Sequence, residues 1–408
     1  MPSSFLNYRS ITIDNTKVSG SSTNYPLAFL GTYSWLVFGS QLTDPRGYDV
    51  QFFSDAGLTA PLAWDRAFHN STTGQVAYYV NVPLVTSASA TTIYIAYNNL
   101  NVWTNQSNSG QVWDINHIGV YHFADISSIN QSTIIDSTAY AQSGLYGWNT
   151  SGFTASVDTR GQAALFPSFG GGFITVPATV GTAPINEIAT GSFSFEGWVS
   201  PSTGFSTTES VTRNIVQILS QVGTHHNNVW FEWLNGSNAP FNVNGCLSIT
   251  IGGTDGSRAG ATSAKRGTWL SGSHYYVAAT YDASSKISMV FVNGVIDGKN
   301  TGQNRYTDVG MASQVSFGNN GSEYWSGSMA EMRISNKARP VEYYATQYAN
   351  QNSPDTFYTI GAEQNTTYTV VSGSNAGQLF PVVVDPTLAN VTEGVRPPNH
   401  GQLFPYFA

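Results

Sequence analysis

The stretch GSFSFEGWVSP, at residues 191–201, decides the fold. Aromatic residues alternate with small ones over its first half, which is the pattern of a half-buried strand. Similar runs follow at short intervals between Gly, Asn, Asp and Ser, among them HYYVAATYD (274–282) and SQVSFGNN (313–320). Short strands at this spacing favour an antiparallel sandwich or jelly roll over a parallel sheet, so the sequence predicts an all-β protein.

Two hairpin turns and one helix can be located in the same region. Asn293-Gly294 separates two apolar runs and predicts a two-residue type I′ turn. The segment YDASSK (281–286) predicts a second hairpin, in which Asp282 suits the turn. Residues 339–351, RPVEYYATQYANQ, form the one good helix pattern. Pro340 suits its first position, because that residue donates no helical hydrogen bond.

The composition excludes several classes of function. Aromatic residues make up 13% of the 408 residues and charged residues only 10%, so a buried core is expected rather than disorder. The formal net charge of −8 argues against nucleic acids and anionic membrane surfaces, because both need basic patches. No run of about 18 apolar residues is present, so we expect no membrane insertion. The first residues, MPSSFLNYRSITIDN, lack the basic and apolar regions of a secretory signal.

Changes in composition divide the chain into three parts. Residues 1–105 alternate short apolar runs with turn clusters and end in a polar, Asn-rich segment. Residues 106–364 continue in the same way at greater length. Residues 365–408 carry five prolines and no long alternating run, which prevents a central strand or helix. We therefore predict two β-sandwich, jelly-roll-like domains followed by an extended C-terminal tail. The tail would serve for anchoring or oligomerisation and pack against its own domains, sister chains or another protein.

Several segments carry a resemblance to known families. In the middle part they are GSFSFEGWVSP (191–201), TWLSGSHYYVAATYD (268–282), VNGVIDG (292–298) and WSGSMAEMRISNKARPVEYYATQYANQ (325–351). Through most of residues 115–363 the chain resembles a laminin-G-like module of the concanavalin A-like lectin/glucanase superfamily, which is a β-sandwich jelly roll. The segments YRSITIDNTKVSGSSTNYPLAF (8–29), YDVQFFSDAGLTAPLAWDR (48–66) and TTIYIAYNN (91–99) are similar to a module of unknown function that often precedes such modules in bacterial surface proteins. The resemblance implies binding to glycans or proteins and seldom catalysis.

The acidic residues give no support for a glycoside hydrolase. A glycosidase on this fold needs two carboxyl groups about 5–5.5 Å apart for retention, or further apart for inversion. On one strand this requires acidic residues at i and i+2 or i+4. Glu196, Glu232 and Glu331 each stand alone among apolar or neutral residues. We expect Glu331 to form an ion pair with Arg333 rather than to act as a general acid, and we predict that the protein is not an enzyme.

Metal and thiol chemistry lacks support as well. The seven histidines include no His-x-His or His-Glu-x-x-His spacing, and His225-His226 is interpreted as an exposed loop pair. Cys246 lies in a strand-like run and is expected to be a buried thiol. Laminin-G modules sometimes hold calcium at a loop rim through scattered oxygens. The sequence does not locate such ligands, so we expect no cofactor, and a rim calcium ion stays an alternative.

Aromatic residues in two stretches are candidates for glycan binding, because exposed rings beside Asn, Asp and Gly suit sugars. The stretches are HHNNVWFEWLNGSN (225–238) and GNNGSEYWSGS (318–328), and the candidate residues are Trp230, Trp233, Tyr324 and Trp325. Strand alternation places Trp233 on one face with Phe231, and Trp230 on the other, so that one set is buried. The alternative for each of these rings is a place in the core.

The C-terminal tail contains a repeated pentapeptide. The two copies comprise Gly377, Gln378, Leu379, Phe380 and Pro381, and Gly401, Gln402, Leu403, Phe404 and Pro405. A linker does not require Leu and Phe in both copies, because exposed apolar pairs lower solubility. The Leu and Phe of each copy can insert into an apolar pocket, and identical copies imply similar pockets on repeated subunits. Two weak contacts made by one chain bind with avidity. A repeat that arose by chance is the alternative.

Together these features favour a component of an assembled particle. A chain without an export signal but with a lectin-like surface suits a virion protein, because phage particles assemble inside the cell and leave by lysis. We therefore predict a non-enzymatic bacteriophage structural protein on the virion surface, as a capsid decoration, head-fibre or tail-associated protein that adheres to a glycan or host surface. Its tail would contact capsid or tail proteins, and we expect a homo-oligomer, with a trimer favoured. The alternative is a secreted bacterial cell-surface glycan-binding protein.

Overall fold

In the computed structural model, the described residues lie between residues 4 and 366. The described ranges are 4–102, 104–123, 133–146, 154–158, 160–166, 173–177, 188, 191–206, 212–220, 229–234, 245–252, 258–262, 268–302, 312–318 and 323–366. Both pentapeptide copies fall in residues 367–408, and the histidine pair falls in residues 221–228. The predictions for these segments therefore lie outside the described residues.

The regular structure of the described residues is dominated by strands. The first part of the chain contributes β1 (Asn7–Ile13), β2 (Ser21–Thr32), β3 (Val50–Phe53), β4 (Pro61–Leu62), β5 (Trp64–Asn70), β6 (Gln75–Thr86) and β7 (Thr91–Tyr97). The middle part contributes β8 (His117–Tyr121), β9 (Thr133–Ile134), β10 (Gly144–Tyr146), β11 (Thr154–Asp158), β12 (Gly161–Phe166), β13 (Ile174–Pro177), β14 (Phe193–Pro201), β15 (Phe205–Ser206), β16 (Arg213–Ser220), β17 (Val229–Leu234), β18 (Cys246–Gly252), β19 (Arg258–Thr262), β20 (Thr268–Trp269), β21 (Tyr275–Asp282), β22 (Ile287–Val292), β23 (Val295–Asn300), β24 (Ala312–Phe317) and β25 (Gly327–Ser335). The helices α1 (Val341–Asn352) and α2 (Pro354–Phe357) precede two further described strands, β26 (Tyr358–Ile360) and β27 (Gln364–Asn365). Short 3-10 turns lie at Asn15–Lys17, Ser34–Leu36 and Ser109–Gln111, and the predicted all-β class is confirmed.

The strands pair antiparallel into four main sheets, numbered here from 1 to 4. Sheet 1 has the order β26-β1-β7-β3-β4, with β27 also paired to β1, and sheet 2 has the order β2-β6-β5. Sheet 3 has the order β11-β12-β25-β14-β21-β22-β23, with β8 also paired to β25. Sheet 4 has the order β19-β18-β17-β16-β24-β13-β10-β9, and β15 and β20 form a separate pair. Sheets 1 and 2 form the first module, and sheets 3 and 4 form the second.

The core of the first module lies between sheets 1 and 2. Alternation along β1 turns Ile11 and Ile13 inward, and alternation along β2 turns Leu27 and Phe29 to meet them. Burying a side chain of this size stabilises the fold by about 1.5–3 kcal/mol relative to leaving it exposed. The alternating pattern of these strands therefore accounts for the sandwich.

The opposite face of sheet 2 is buried as well, because the second module packs on it. Ala28, Leu30 and Tyr79 of sheet 2 contact Trp113 and Val120, which lie in the connection between the modules and in β8. Helix α1 packs its tyrosines on the outward face of sheet 3 and hydrogen-bonds to β2. The four sheets are therefore stacked in the order 1, 2, 3, 4.

The core of the second module lies between sheets 3 and 4. Phe193 and Phe195 of β14 pack towards Phe231 and Trp233 of β17 in one continuous cluster. Cys246, at the start of β18, is buried, which confirms its prediction. The layer between these sheets is therefore an aromatic and aliphatic core, so polar residues of sheet 4 must face the other way.

The end of the described chain returns to the first module. Ile360 pairs with Ile11, Tyr358 pairs with Ile13, and β27 continues the pairing along the same strand. The sequence had placed these residues in the second domain, 106–364, because they follow its helix directly. Tyr358 is buried in the first module's core, and this burial draws the strand into sheet 1. The second module is thus inserted within the first.

The local predictions agree with the structure in detail. Asn293 and Gly294 have φ values of 51° and 76°, as a type I′ turn requires, so that turn is confirmed. Asp282 accepts a hydrogen bond from the backbone N–H of Ser284 at 2.9 Å, which fixes the second hairpin. Helix α1 is also confirmed, although Pro340 precedes its first residue and acts as the N-cap position.

Candidate functional site

The face of sheet 4 that points away from the core is lined by polar side chains. These residues, called the polar face below, are Thr175, Asn214, Gln217, Trp230, Glu232, Ser248, Thr250 and Ser316. Their neighbours along the strands, such as Phe231 and Val315, point into the core. Alternation along β13, β16, β17, β18 and β24 therefore gathers polar groups from five strands on one surface.

Cross-strand pairing arranges the polar face in two rows. The first row crosses five strands in the order Thr175, Ser316, Gln217, Trp230 and Thr250. The second row contains Asn214, Glu232 and Ser248. Because neighbouring strands lie about 4.7–4.9 Å apart, the first row extends over about 19 Å, which is long enough for a ligand of several sugar units.

Two amide side chains of the polar face keep unused hydrogen-bonding groups although they are buried. Asn214 is 0% exposed and Gln217 is 4% exposed. Among the described residues, neither Oδ1 nor Nδ2 of Asn214 has a hydrogen-bond partner, and neither has Oε1 of Gln217. Leaving such a group unpaired costs about 1–3 kcal/mol, and native proteins keep few of them without a water or a ligand. These amides mark the polar face as the candidate site.

A β-bulge explains why both amides face the same way. The pairing of β16 with β17 shifts between Asn214 and Val216, so Ile215 is an extra residue in the ladder. Without the bulge, residues three positions apart would point to opposite faces of the strand. The sequence reasoning missed Asn214 and Gln217, and the run RNIVQILS gives no signal for a bulge that could have revealed them.

Of the four predicted glycan-binding aromatics, one lies on the polar face, two lie in the core and Tyr324 belongs to neither. Trp230 is half-buried and lies on the polar face directly opposite Gln217. Tyr324 is also half-buried, and its carbonyl accepts a hydrogen bond from Arg213 Nη1 at 3.4 Å. Trp233 and Trp325 belong to the core cluster between sheets 3 and 4, so their rings lie inside the core and not on the polar face. For these two, the core alternative replaces the predicted glycan contact.

A second polar cluster lies between sheets 2 and 3. This interface network comprises Asp65, Asp114, His117, His122, Glu196, Glu331, Arg333 and Arg339. Apart from Asp114, every member is more than nine-tenths buried. The members come from β5, the connection between the modules, β8, β14, β25 and the segment before α1. The network therefore joins parts of the chain that are distant in sequence.

Arg333 lies at the centre of the interface network. Its Nη1 is 3.4 Å from Glu196 Oε1, and its Nη2 is 3.4 Å from Glu331 Oε2. The guanidinium lies over the rings of Tyr79 and Trp113, at 5.0 and 4.8 Å from their centroids, in a cation–π arrangement. The expected ion pair between Glu331 and Arg333 is confirmed, but Glu196 and Glu331 do not stand alone, because both contact the same arginine.

The two histidines of the interface network carry different charges. His122 Nδ1 is 2.8 Å from Glu331 Oε1, and its Nε2 is 2.9 Å from Asp65 Oδ2. Burial alone would lower the pKa of His122, but the neighbouring carboxylates of Glu331 and Asp65 raise it to about 10. Burial, together with the charge of Arg339, lowers the pKa of His117 to about 4. At neutral pH His122 is therefore a cation and His117 is neutral.

The backbone at Glu331 adapts to this arrangement. Glu331 has a φ of 55°, in the left-handed region, and the pairing of β14 with β25 is shifted by a bulge beside it. A non-glycine residue held in a sparsely populated region of this kind costs about 1–3 kcal/mol unless its surroundings impose it. Its carboxylate contacts both His122 and Arg333, and these contacts account for the conformation.

Two further properties concern only the part of the chain that the structure describes. No group of three or more His, Cys, Asp or Glu side chains there is arranged to hold a metal ion. No helix in these ranges is both long and apolar enough to cross a membrane.

Comparison with known proteins identifies the second module. Residues 173–343 match the Laminin_G_3 family, described as concanavalin A-like lectin/glucanases superfamily. Residues 173–343 of the second module are therefore similar to the lectin-like β-sandwich domains of this superfamily. No curated protein matches the chain.

Several solved structures are similar at low identity. The botulinum neurotoxin serotype G binding domain has 12% identity and a TM-score of 0.44, with coverage of 59% of this chain and 52% of that one. The serotype D binding domain has 12% identity and a TM-score of 0.40, with coverage of 58% and 52%. The serotype D ligand-binding domain in complex with N-acetylneuraminic acid has 13% identity and a TM-score of 0.39, with coverage of 58% and 51%. The chain thus spans about half the length of these domains.

Proposed function

We propose that this protein is a non-enzymatic adhesion protein whose lectin-like module binds a glycan through the polar face. The observation that carries the proposal is the set of open hydrogen-bonding atoms on Asn214 and Gln217, which are buried on a face lined by hydroxyl groups. Sugar hydroxyls both donate and accept hydrogen bonds, so they can pair with the open amide oxygen and nitrogen atoms of these side chains. Trp230, the half-buried ring beside Gln217, offers an apolar surface to the C–H face of a pyranose.

The distribution of carboxyl groups supports binding rather than catalysis. Among the described residues of the polar face, Glu232 is the one acidic residue, whereas glycosidases use two carboxyl groups. Glu196 and Glu331 are on sheet 3, where Arg333 contacts both of them. A single carboxyl group can accept hydrogen bonds from a sugar without supplying the acid and nucleophile of hydrolysis.

The order of the sheets supports a display role. The described chain ends beside β1 in sheet 1, where Asn365 pairs with Asn7. The polar face belongs to sheet 4, at the opposite end of the stack. A tail that anchors the protein would therefore hold the polar face away from the anchoring surface. We propose that this surface is a bacteriophage capsid or tail, and that the protein is a decoration, head-fibre or tail-associated component.

A glycan array followed by isothermal titration calorimetry tests the binding role. We expect at least one sugar to bind, and the variants Asn214→Ala and Trp230→Ala to weaken that binding by about ten-fold or more, since a bound polar pair contributes about 1.4 kcal/mol or more. Ser284→Ala, at an exposed turn of sheet 3, is the control and leaves binding unchanged. A complete array without a hit, or a hit that survives both polar-face variants, contradicts the proposal.

Particle analysis tests the setting. We expect mass spectrometry and immunogold labelling to find the protein on purified phage particles, and removal of residues 367–408 to release it while the described modules stay folded. Light scattering of the free protein would report three copies if the trimer is correct. Recovery of the protein from culture medium without any particle would instead favour the secreted bacterial glycan-binding alternative.

A further inference from the structure

We propose that the first module contains a separate anion site, at which Arg66 and His69 bind a small carboxylate or phosphate anion through open N–H groups. Both residues lie on β5 in sheet 2, whereas the proposed glycan site lies on sheet 4. The anion site therefore goes beyond the proposed function and does not depend on it.

A β-bulge in β5 turns the two side chains in the same direction. The pairing of β5 with β6 shifts between Arg66 and Phe68, so the residue between them is extra in the ladder. Arg66 lies opposite Tyr78. His69 lies opposite Val76, and both of these partners face the core of the first module. Arg66 and His69 thus share the inner face of an edge strand, opposite positions on β6 that are about 7 Å apart.

The position of the ring proton of His69 follows from its contact with Tyr78. His69 Nδ1 is hydrogen-bonded to the Tyr78 hydroxyl, and the two rings are stacked with their centroids 6.0 Å apart. Burial raises the pKa of Tyr78 well above its usual value, so the hydroxyl keeps its proton. Among the described residues this hydroxyl has no second hydrogen-bond partner, so its O–H donates to Nδ1 and the His69 proton lies on Nε2.

Two N–H donors of this pair are open. Within the described ranges, neither Arg66 Nε nor His69 Nε2 has a hydrogen-bond partner, although both atoms are buried. Arg66 also forms no ion pair there. The two residues as a whole are half-buried, so a small solute can reach them. Two open donors, one of them on a cation, suit the oxygens of a carboxylate or phosphate, because hydrogen bonds between charged groups are the stronger kind.

The loop before β3 forms one wall of the anion site. Gly47 has a φ of 69°, and a Cβ atom at this position would lie 2.6 Å from His69 Cε1. The loop therefore passes directly over the imidazole, which a larger residue at position 47 would displace. The ring centroid of Tyr48 lies 5.8 Å from Arg66 Cζ, in a cation–π arrangement. Both donor side chains are thus held in place by the same loop.

Two carboxylates near the anion site affect its charge. Asp44 is paired with Arg46, with Oδ2 and Nη2 2.8 Å apart. Asp49 is 0% exposed and, like Arg66, acts electrostatically on the Tyr78 hydroxyl. Since Asp49 and Arg66 form no ion pair, the guanidinium stays available, but the Asp49 charge opposes an anion. Asp49→Asn should therefore strengthen anion binding.

NMR of the full chain labelled with nitrogen-15 at histidine tests the anion site. Sodium phosphate and sodium acetate are the probes, compared with sodium chloride at the same ionic strength and neutral pH, and His69→Gln assigns the His69 signals. We expect the spectrum to place the ring proton on Nε2. We also expect phosphate or acetate to shift these signals in a saturable way, whereas chloride does not. A response to one probe alone identifies which of the two groups the site takes.

Variants locate the binding. Arg66→Gln should weaken the anion that binds by about ten-fold or more, because it removes the charge-assisted hydrogen bonds. Arg66→Lys keeps the charge but loses the Nε–H group, so its affinity should lie between those of Arg66→Gln and the unchanged protein. Lys17→Gln removes the same charge at an exposed position of the first module and should leave binding unchanged. Melting temperatures of the variants separate a loss of binding from a loss of folding.

Several outcomes would overturn the anion site. They are a ring proton on Nδ1, an equal response to chloride, and the absence of a saturable response to both probes, as expected if internal water pairs with the two N–H groups. Weaker binding in Asp49→Asn would also overturn it, because the ligand would then donate to that carboxylate. The glycan array has no bearing on this site, so the proposed function and this inference can fail separately.

Discussion

The interface network and the polar face are both buried and polar, but they differ in whether their polar side-chain atoms have hydrogen-bond or ion-pair partners. In the network, His122 uses both ring nitrogens and Arg333 contacts two carboxylates. On the polar face, Asn214 has neither amide atom paired within the described part of the chain. The difference teaches that burial alone does not define a role. A paired cluster joins the two modules, whereas the unpaired one is the ligand site that we propose.

The energetic consequence of this difference is large. Removing one member of a paired buried cluster leaves its partner charged and unsolvated, which is strongly destabilising. Removing a polar group that was already unpaired removes the cost of its burial and breaks no hydrogen bond. Substitutions at matched positions in the two clusters should therefore change stability in different directions.

The largest effect is expected for Arg333→Ala. The variant leaves Glu196 and Glu331 buried without their cation, so we expect unfolding free energy to fall by about 3–5 kcal/mol. Urea denaturation measures this loss. Arg9→Ala is the control, because Arg9 and Glu363 form a partly exposed pair at 3.2 Å whose loss should cost about 1 kcal/mol or less. Equal costs for the two variants would contradict the role assigned to the interface network.

A pH-dependent effect is expected next, at His122. Since the pKa of His122 is raised from 6.5 to about 10 on folding, its contribution to stability is complete below about pH 6.5 and declines as the pH rises towards 10. His122→Gln should remove this alkaline decline in melting temperature.

His117 provides the opposite case in the same network. The pKa of His117 is lowered to about 4, so the native protein loses stability as the pH falls from about 6.5 towards 4. His117→Gln should therefore reduce the loss of melting temperature at acidic pH and leave the loss at alkaline pH unchanged. An alkaline decline that persists in His122→Gln would show that another group causes it.

The smallest effect, and the sharpest comparison, is expected for two buried asparagines. Asn350 is 0% exposed like Asn214, but its Nδ2 donates to the Ala28 carbonyl at 2.9 Å and its Oδ1 accepts from the Ala28 N–H at 2.8 Å. We expect Asn350→Leu to lower unfolding free energy by about 1–3 kcal/mol, because it leaves backbone groups unpaired. Asn214→Leu should be neutral or stabilising. Thermal denaturation compares them, and an equal loss for both would mean that Asn214 is paired in solution.

Local features of the fold could be predicted from the sequence because their causes are local. The turn at Asn293-Gly294 follows from residues that tolerate positive φ, and the pairing of Glu331 with Arg333 follows from strand alternation. Alternation also predicted that Phe231 and Trp233 share one face, and a place in the core was one of the two alternatives for Trp233.

The candidate site could not be predicted, since its causes are not local. The common direction of Asn214 and Gln217 depends on one extra residue in the ladder, which the sequence does not reveal. The interface network depends on which layers stack together, and Asp65 and His122 meet only after both modules have formed. Alternation determines which residues share a face of a strand, but not which faces meet.

The return of the chain to β1 has a consequence for biosynthesis. One edge of β1 pairs with β7, whose synthesis is complete at residue 97. The other edge stays unpaired until β26, which begins at residue 358, has been synthesised. Throughout the synthesis of the inserted module, the nascent chain carries an open strand edge of the kind that recruits other chains. A product terminated before residue 358 keeps this edge open, whereas a chain that contains β26 and β27 covers it. The first module therefore closes only after the inserted module has been synthesised.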